Sequence, residues 1–272
     1  VLITNPRDMS KFITELSKWR FTAITGVNTL FNALLNTAGF NELDFSHIKL
    51  AVGGGMPVQR TVAEKWRTVT GTKIIEGYGL TECSPVVCVN PVHWAGYTGA
   101  IGVPVPSTDV TLRDEFGSEV SKGEIGEICV SGPQVMQGYW RRSEETKKVF
   151  FGDWLRTGDL ATIDEAGFFY ILDRKKDMIL VSGFNVFPNE VEEILSSHPR
   201  ILECACIGVP DEHTGEAVKV FVVCHTDDPV TCDEIKSYCK QQLTTYKVPK
   251  HVEFRSVLPK SNIGKIMRRH LR

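Results

Sequence analysis

Five consecutive charged residues, Asp173-Arg174-Lys175-Lys176-Asp177, stand between two apolar runs, Phe168 to Leu172 and Met178 to Val181. Burying such a run is costly unless every charge finds a partner, so the pattern predicts an exposed connection between two separate cores. A length of 272 residues gives each side enough chain for a core of its own. The approach to the cluster reads as a glycine turn, Thr157-Gly158-Asp159, that leaves a carboxylate facing outward. A hairpin follows, from Ala161 to Ile163, through Asp164-Glu165-Ala166-Gly167, into Phe168 to Leu172.

The first hundred residues alternate helix and strand signals. Phe12, Leu16 and Trp19 recur near a 3.6 period within 8–20, and Leu30 to Ala38 reads as a second helix. Between them Phe21 to Thr25 is β-like. Ile48 to Val52 is a strand that meets Gly53-Gly54-Gly55-Met56-Pro57. A helix is expected from Pro57, a favoured first position, with Val58, Val62, Trp66 and Val69 on one face. Strand, glycine turn, helix is the local build of an α/β nucleotide site. Lys73 to Glu76 is another strand, running into Gly77-Tyr78-Gly79-Leu80-Thr81-Glu82.

From Gly99 to Leu172 glycines and prolines punctuate short strands, as in a small barrel-like β unit. Within it Gln137-Gly138-Tyr139-Trp140 reads as a turn, with Trp140 packed inward. Beyond the charge cluster lies an α+β pattern: a loop over Ser182-Gly183 and Phe184-Asn185-Val186, then a helix from Pro188 to Ser197. Strands at Glu203–Val209, Val218–Cys224 and Val252–Val257 and a helix at Asp233–Leu243 complete it.

Composition excludes some classes. A net charge of −2 gives no footing for nucleic-acid binding, so any polyanionic ligand must be handled by local groups. The eight cysteines form no CxxC pair, and Cys204-Ala-Cys206 places two on one face of an apolar strand, as small hydrophobes. No apolar run approaches the roughly 18 residues of a spanning helix, and no secretory signal is present. Starting at Val1 inside an apolar run and stopping in a helix-like MRRHLR, the chain reads as a fragment of a longer protein.

Three segments carry a resemblance: WLRTGD…DRKKDMILVSGFNVFPNEVE around the charge cluster, YGLTECSPVV at 78–87, and Pro259…Gly264-Lys265-Ile266-Met267-Arg268-Arg269 at the end. Together the chain resembles the adenylate-forming superfamily, which includes acyl-CoA synthetases, peptide-synthetase adenylation domains and firefly-type luciferases. The wording is most similar to the bacterial long-chain fatty-acid–CoA ligases. The resemblance implies an α/β portion of a large domain (1–98), a β-rich, barrel-like subdomain (99–175) and a mobile α+β C-terminal domain (176–272). The family's N-terminal part would lie upstream, with its Ser/Thr/Gly-rich phosphate loop and most of its acyl tunnel. The chain alone is therefore expected not to turn over.

By the same resemblance Gly55, Met56 and Pro57 lie against the nucleotide's base and ribose. Glu76, Gly77, Tyr78 and Gly79 continue that surface, the glycines letting backbone approach a flat ring while Tyr78 packs across it. Thr81 offers a hydroxyl to a phosphate, and Glu82 a carboxylate to Mg²⁺, a hard cation that prefers oxygen ligands. Asp159 and Arg174 hold the ribose hydroxyls, suited by an acceptor carboxylate and a rigid guanidinium fork. Lys176 is the hinge, and Ser182, Gly183 and Asn185 meet CoA. Lys265 is the catalytic lysine, a point charge on a long stem that bridges carboxylate and α-phosphate oxygens as negative charge builds.

The implied activity joins a fatty acid to CoA with ATP through acyl-AMP, with Mg²⁺ as cofactor. The setting implied is the cytoplasm, with room for peripheral association with the inner membrane surface and for a homodimer. Other readings keep adenylation but change acid or acceptor: an aryl-CoA or medium-chain ligase, or a domain loading a carrier protein. A different class is an inactive nucleotide-binding or scaffold protein.

Overall fold

In the computed structural model, which describes residues 5, 8–94, 96–225, 230–262 and 264–272, short apolar strands followed by amphipathic helices build the first sheet. Helix α1 (Met9–Leu16) is capped by Asp8, whose carboxylate accepts the Lys11 N–H, and buries Phe12, Ile13 and Leu16. Trp19 lies past the helix end and is exposed, its indole N–H donating to Glu15 Oε1 (3.0 Å), so the expected apolar stripe stops one turn early. Then follow β1 (Ala23–Gly26), α2 (Asn28–Leu35), β2 (Leu50–Gly53), α3 (Arg60–Thr70), β3 (Ile74–Gly79), β4 (Val86–Val89) and β5 (Val103–Pro104). The sheet runs β1-β2-β3-β4-β5, parallel through β3 and antiparallel after it. Phe31 and Trp66 meet edge to face at 4.8 Å in its core.

Two expected boundaries move here for physical reasons. Helix α3 begins at Arg60 and not at Pro57, because Asn28 holds Gln59 at the cap. The Gln59 N–H donates to Asn28 Oδ1 and the Asn28 amide to Gln59 Oε1, both at 3.0 Å, which keeps 54–58 as a loop. Strand β3, expected to end at Glu76, runs on through Gly77-Tyr78-Gly79, paired with Val89, Cys88 and Val86. Glycine is needed at 79 because a Cβ there would lie 2.1 Å from the Pro85 carbonyl oxygen.

By its internal contacts the chain divides into two compact units: 1–111, 129–155 and 163–170 form the first, and 112–128, 156–162 and 171–272 the second. The β-rich stretch contributes β6 (Asp109–Arg113), β7 (Gly126–Ser131), α4 (Ser143–Lys148), β8 (Phe150–Phe151), β9 (Trp154–Ile163) and β10 (Phe169–Arg174). Its sheet runs β10-β9-β7-β6, with β8 paired to β9. Thr157-Gly158-Asp159 sits inside β9, where Gly158 takes φ +76°, and Asp159 is 9% exposed: its carboxylate does not face outward as expected. Trp140, expected to pack, is 85% exposed, with the Arg141 guanidinium 5.6 Å from its ring centre. The adjoining Gly138-Tyr139 step turns instead on Thr146, whose hydroxyl oxygen accepts the Tyr139 N–H.

The α+β unit contains β11 (Ile179–Val181), β12 (Phe184–Val186), α5 (Pro188–Ser196), β13 (Ile201–Asp211), β14 (Gly215–Cys224), α6 (Cys232–Lys240) and β15 (His251–Phe254). The sheet order is β12-β11-β14-β13, with β15 parallel to β14. Helices α5 and α6 contribute Val191, Leu195, Ile235 and Cys239 to the core over it. Helix α6 opens with a full capping box between Thr231 and Glu234. Phe184-Asn185-Val186, expected as loop, is strand β12. Ser182 (φ +50°) and Gly183 (φ +86°) form the two-residue hairpin turn whose twist lets β11 and β12 pair. Cys204 and Cys206 share the buried face, as their spacing predicts. The cysteines are reduced; Cys83, Cys88, Cys129, Cys204, Cys206 and Cys239 are buried, Cys224 is half-buried and Cys232 is exposed. Among the described residues no helix is long and apolar enough to cross a membrane.

The charge cluster is only partly the exposed connection that its composition predicts. Arg174, Lys175 and Lys176 are exposed, but Asp173 is 1% exposed. Its burial is compensated: Oδ1 accepts from Arg268 Nη1 (2.9 Å) and the Arg174 N–H (2.8 Å), and Oδ2 from the Asn189 N–H (2.8 Å).

Candidate nucleotide and lysine site

The expected site residues fall into two sets, one in each unit. In the first unit, the loop after β2 and the end of β3 are in contact. Gly53 is in register with Glu76, and a Cβ on Gly54 would stand 3.1 Å from the Gly77 carbonyl oxygen. The structure therefore brings the Gly55-Met56-Pro57 loop beside Glu76-Gly77-Tyr78-Gly79. Gly55 has φ +76° and is exposed with Pro57, while Met56 and Tyr78 are half-buried. Glu76 is buried, its Oε2 accepting from the Thr98 hydroxyl at 3.4 Å. That carboxylate faces into the protein.

Thr81 and Glu82 lie on the single turn of helix, Thr81–Cys83, that follows β3. Thr81 is exposed. The Glu82 Oε1 accepts from the Tyr139 hydroxyl at 2.9 Å, and its backbone carbonyl accepts the Met136 N–H at 2.8 Å. Burial and then the Glu82 hydrogen bond raise the Tyr139 pKa, so the phenol stays a donor. These contacts orient the Glu82 carboxylate. No cluster of three or more His, Cys, Asp or Glu that could hold a metal exists among the described residues.

The second unit holds the remaining residues. Asp159 on β9 and Arg174 at the end of β10 are 3.4 Å apart, Oδ1 to Nε. Glu127 on β7 is 4% exposed and braces this corner. It accepts the Gly158 N–H at 3.1 Å, pairs with Arg156 at 2.9 Å and has Lys175 at 4.0 Å. The Lys175 N–H also donates to the Gly158 carbonyl at 2.8 Å, stitching the two strand segments together.

Lys265 lies on a closed loop. Lys260 bridges Ile266, the Ser261 N–H donates to the Lys265 carbonyl (2.8 Å) and the Lys265 N–H to Ser261 Oγ (3.1 Å). Burial and the Arg174 charge hold the Lys265 pKa below the usual lysine range, with Asp159 acting the other way. Both members of the Asp159–Arg174 pair thus act on the ammonium. The hairpin turn with Ser182, Gly183 and Asn185 is exposed elsewhere in the unit. The Ser182 N–H donates to the Thr214 carbonyl at 2.8 Å. Lys176 is exposed, and its carbonyl accepts from Arg272 Nη2 at 3.4 Å.

Residues 1–140 match the family model described as AMP-binding enzyme, and residues 190–265 match the AMP-binding enzyme C-terminal domain. The chain belongs to the AMP-binding enzyme family. Over all of its length this AMP-binding enzyme chain is 62% identical to a long-chain-fatty-acid–CoA ligase of Yersinia pestis, of which it covers 48%. Its fold is similar to an anthranilate CoA ligase in complex with anthranoyl-AMP, with a TM-score of 0.92 at 30% identity, over 100% of this chain and 53% of that one. It is also similar to ATP-bound MatB from Rhodopseudomonas palustris, with a TM-score of 0.89 at 34% identity, over 97% and 52%. The chain spans about half the length of the curated relatives it matches.

Sequence reasoning missed three residues of this AMP-binding enzyme. Glu127 was signalled by an acid inside the apolar run of β7 (Gly126–Ser131). Tyr139 was visible only as an aromatic beside a glycine. Arg268 reads from sequence as one more cation in a basic tail, yet it donates four hydrogen bonds to the buried Asp173 and the half-buried Glu192 and Asn189.

Proposed function

We propose that this chain is the nucleotide-handling and lysine-bearing part of a long-chain fatty-acid–CoA ligase. The carrying observation is the arrangement of the second unit: a carboxylate and a guanidinium 3.4 Å apart, with both charges acting on a half-buried lysine. A vicinal diol is matched by an acceptor beside a donor fork, and an ammonium next to it can meet charge building on an α-phosphate. In this reading Asp159 and Arg174 hold the ribose and Lys265 the developing charge. Gly55, Met56, Pro57, Glu76, Gly77, Tyr78 and Gly79 form the wall for base and ribose. The polypeptide is divided at 1–98, 99–175 and 176–272.

Mg²⁺ fits the donor set at Thr81–Glu82. A carboxylate steered by Tyr139 and a neighbouring exposed hydroxyl are oxygen donors, and a cation that keeps waters and phosphates as ligands needs no protein cage. When bound, it would neutralise charge on the phosphates. Glu82 would hold it, and Thr81 would donate to a phosphate oxygen.

In the first half-reaction the fatty-acid carboxylate attacks the α-phosphorus of ATP, giving acyl-AMP and pyrophosphate; positioning and charge stabilisation supply most of the acceleration. In the second, residues after Lys176 rotate, Lys265 leaves and the Ser182–Gly183 turn with Asn185 approaches. The CoA thiolate then displaces AMP. The setting we infer is the cytoplasm, with peripheral contact to the inner membrane surface and pairing as a homodimer.

The test is acid-dependent release of pyrophosphate from ATP by the protein at the full length of its relatives. Long-chain fatty acids should be the best substrates. A preference for aryl acids would replace the substrate class, as the likeness to an anthranilate ligase makes concrete. No acid-dependent release at all would sink the ligase reading.

A further inference from the structure

The Arg268 guanidinium makes four side-chain hydrogen bonds in the second unit. Its Nε and Nη2 grip Glu192 on α5 at 3.1 and 2.8 Å, and Nη2 also donates to Asn189 Oδ1 at 2.7 Å. Nη1 reaches Asp173 Oδ1 at 2.9 Å. Glu192 is further fixed by the Cys206 N–H at 2.8 Å. Burial alone would lower the Arg268 pKa, but Glu192 and Asp173 drive it up, so the guanidinium keeps its charge throughout.

The partners are of two kinds. Glu192 and Asn189 follow Lys176 in the chain and would travel with Arg268 in any rotation about it. Asp173 precedes Lys176 and would not. The same division applies to Asn189, whose N–H donates to Asp173 Oδ2 (2.8 Å) and whose side-chain amide donates to the Leu172 carbonyl (3.0 Å). So Asp173 and Leu172 are gripped, across the hinge position, by groups that otherwise form one rigid set.

Arg268 is also mechanically joined to Lys265. The Met267 N–H donates to the Pro259 carbonyl at 2.8 Å, closing the loop on which Lys265 and Ser261 are paired, and Lys260 Nζ pins that loop to Glu203 at 2.5 Å. Only Ile266 and Met267 stand between Arg268 and Lys265 in the chain.

We propose that Arg268 is a positioning residue for adenylation. It fastens the lysine-bearing loop, through Asp173, to the strand that ends in Arg174, and the release of Asp173 is what opens the way to the second half-reaction. This rests on the ligase reading above and adds to it the element that sets which state is populated. A two-state swing needs contacts that differ between its states. The Asp173 contacts are such a set, whereas the Glu192 contacts are common to both.

The experiment uses the full-length enzyme and compares wild type with Asp173→Asn in two separate assays. One is fatty-acid-dependent ATP–pyrophosphate exchange; the other is thioester formation from synthetic acyl-AMP and CoA. Asp173→Asn should lower exchange about tenfold to a hundredfold, the loss of one hydrogen bond to a charged group, chiefly in kcat. Thioester formation should be unchanged or faster. Equal loss of both rates, or no change in either, overturns the proposal. If the variant is too unstable to assay, Arg268→Lys reads the same ratio, because a single ammonium beside Glu192 cannot reproduce the fork that spans to Asp173. Failure of the ligase reading is distinguishable: the wild type itself would then show no fatty-acid-dependent exchange, and the inference would fall with it.

Discussion

Arg174 Nε stands 3.4 Å from Asp159 Oδ1, one strand over in the same sheet, and this pair shapes the electrostatics at Lys265. The guanidinium lies closer in effect than the carboxylate. Together with burial it holds the lysine below its ordinary value of 10.5.

The alkaline limb of the adenylation profile should therefore fall below that ordinary lysine value, because the charged form is the active one and is lost as pH rises through the lowered pKa. Stability has the opposite sign. Between the lowered value and 10.5 the unfolded chain binds more protons, so stability contributed by this group rises with pH across that window. Rate–pH profiles of exchange for wild type and Lys265→Arg check the first point. The arginine variant should lack the limb, and an unmoved limb would refute the assignment.

Lys265→Ala should cut adenylation by roughly 10²–10³-fold, the loss typical of one group aimed at developing charge. Thioester formation from preformed acyl-AMP should stay near the wild-type rate. Single-turnover assays of the two steps separate these outcomes.

Lys176→Pro should act in reverse. Proline fixes φ at the exposed position about which the rotation is proposed, so adenylation should persist while thioester formation falls about a hundredfold, the cost of a small misplacement of reacting groups. Comparable loss of both steps would rule out rotation about this residue.

Gly79→Ala tests the fold and not the chemistry. A Cβ there meets the Pro85 carbonyl oxygen at 2.1 Å and the Val86 Cα at 3.0 Å, so backbone has to shift. Urea denaturation should show a loss of about 1–3 kcal/mol, the usual range for overpacking.

Much of this was legible in the chain because it is local. Helix α5 (Pro188–Ser196) announced itself by Pro188 and by Val191 and Leu195 one turn apart, and β13 and β14 by unbroken apolar runs. What was misread depends on partners far away. Asp173 looks solvated in a run of five charges, and the counter-charge that makes its burial tolerable comes from Arg268, 95 residues on. Asp159 was expected outside because a glycine precedes it; the brace from Glu127 to the Gly158 N–H, across 31 residues, keeps the segment in the sheet. Gly79 is required not by its φ but by the approach of the Pro85 carbonyl from six residues on, which leaves no room for a Cβ. The candidate site residues rest on motif wording; that wording set Asp159 and Arg174 on one ribose, and the two side chains stand 3.4 Å apart.

The distribution of thiols has a practical consequence. Burial pushes the Cys88 thiol up to about 12 and the Cys83 and Cys239 thiols up to about 11, which starves them of the reactive thiolate. Cys232, at the start of α6, stands open to solvent. A maleimide dye should consequently settle there first, tagging the lysine-bearing unit at a native position and giving a fluorescent reporter of the proposed rotation without engineered mutations.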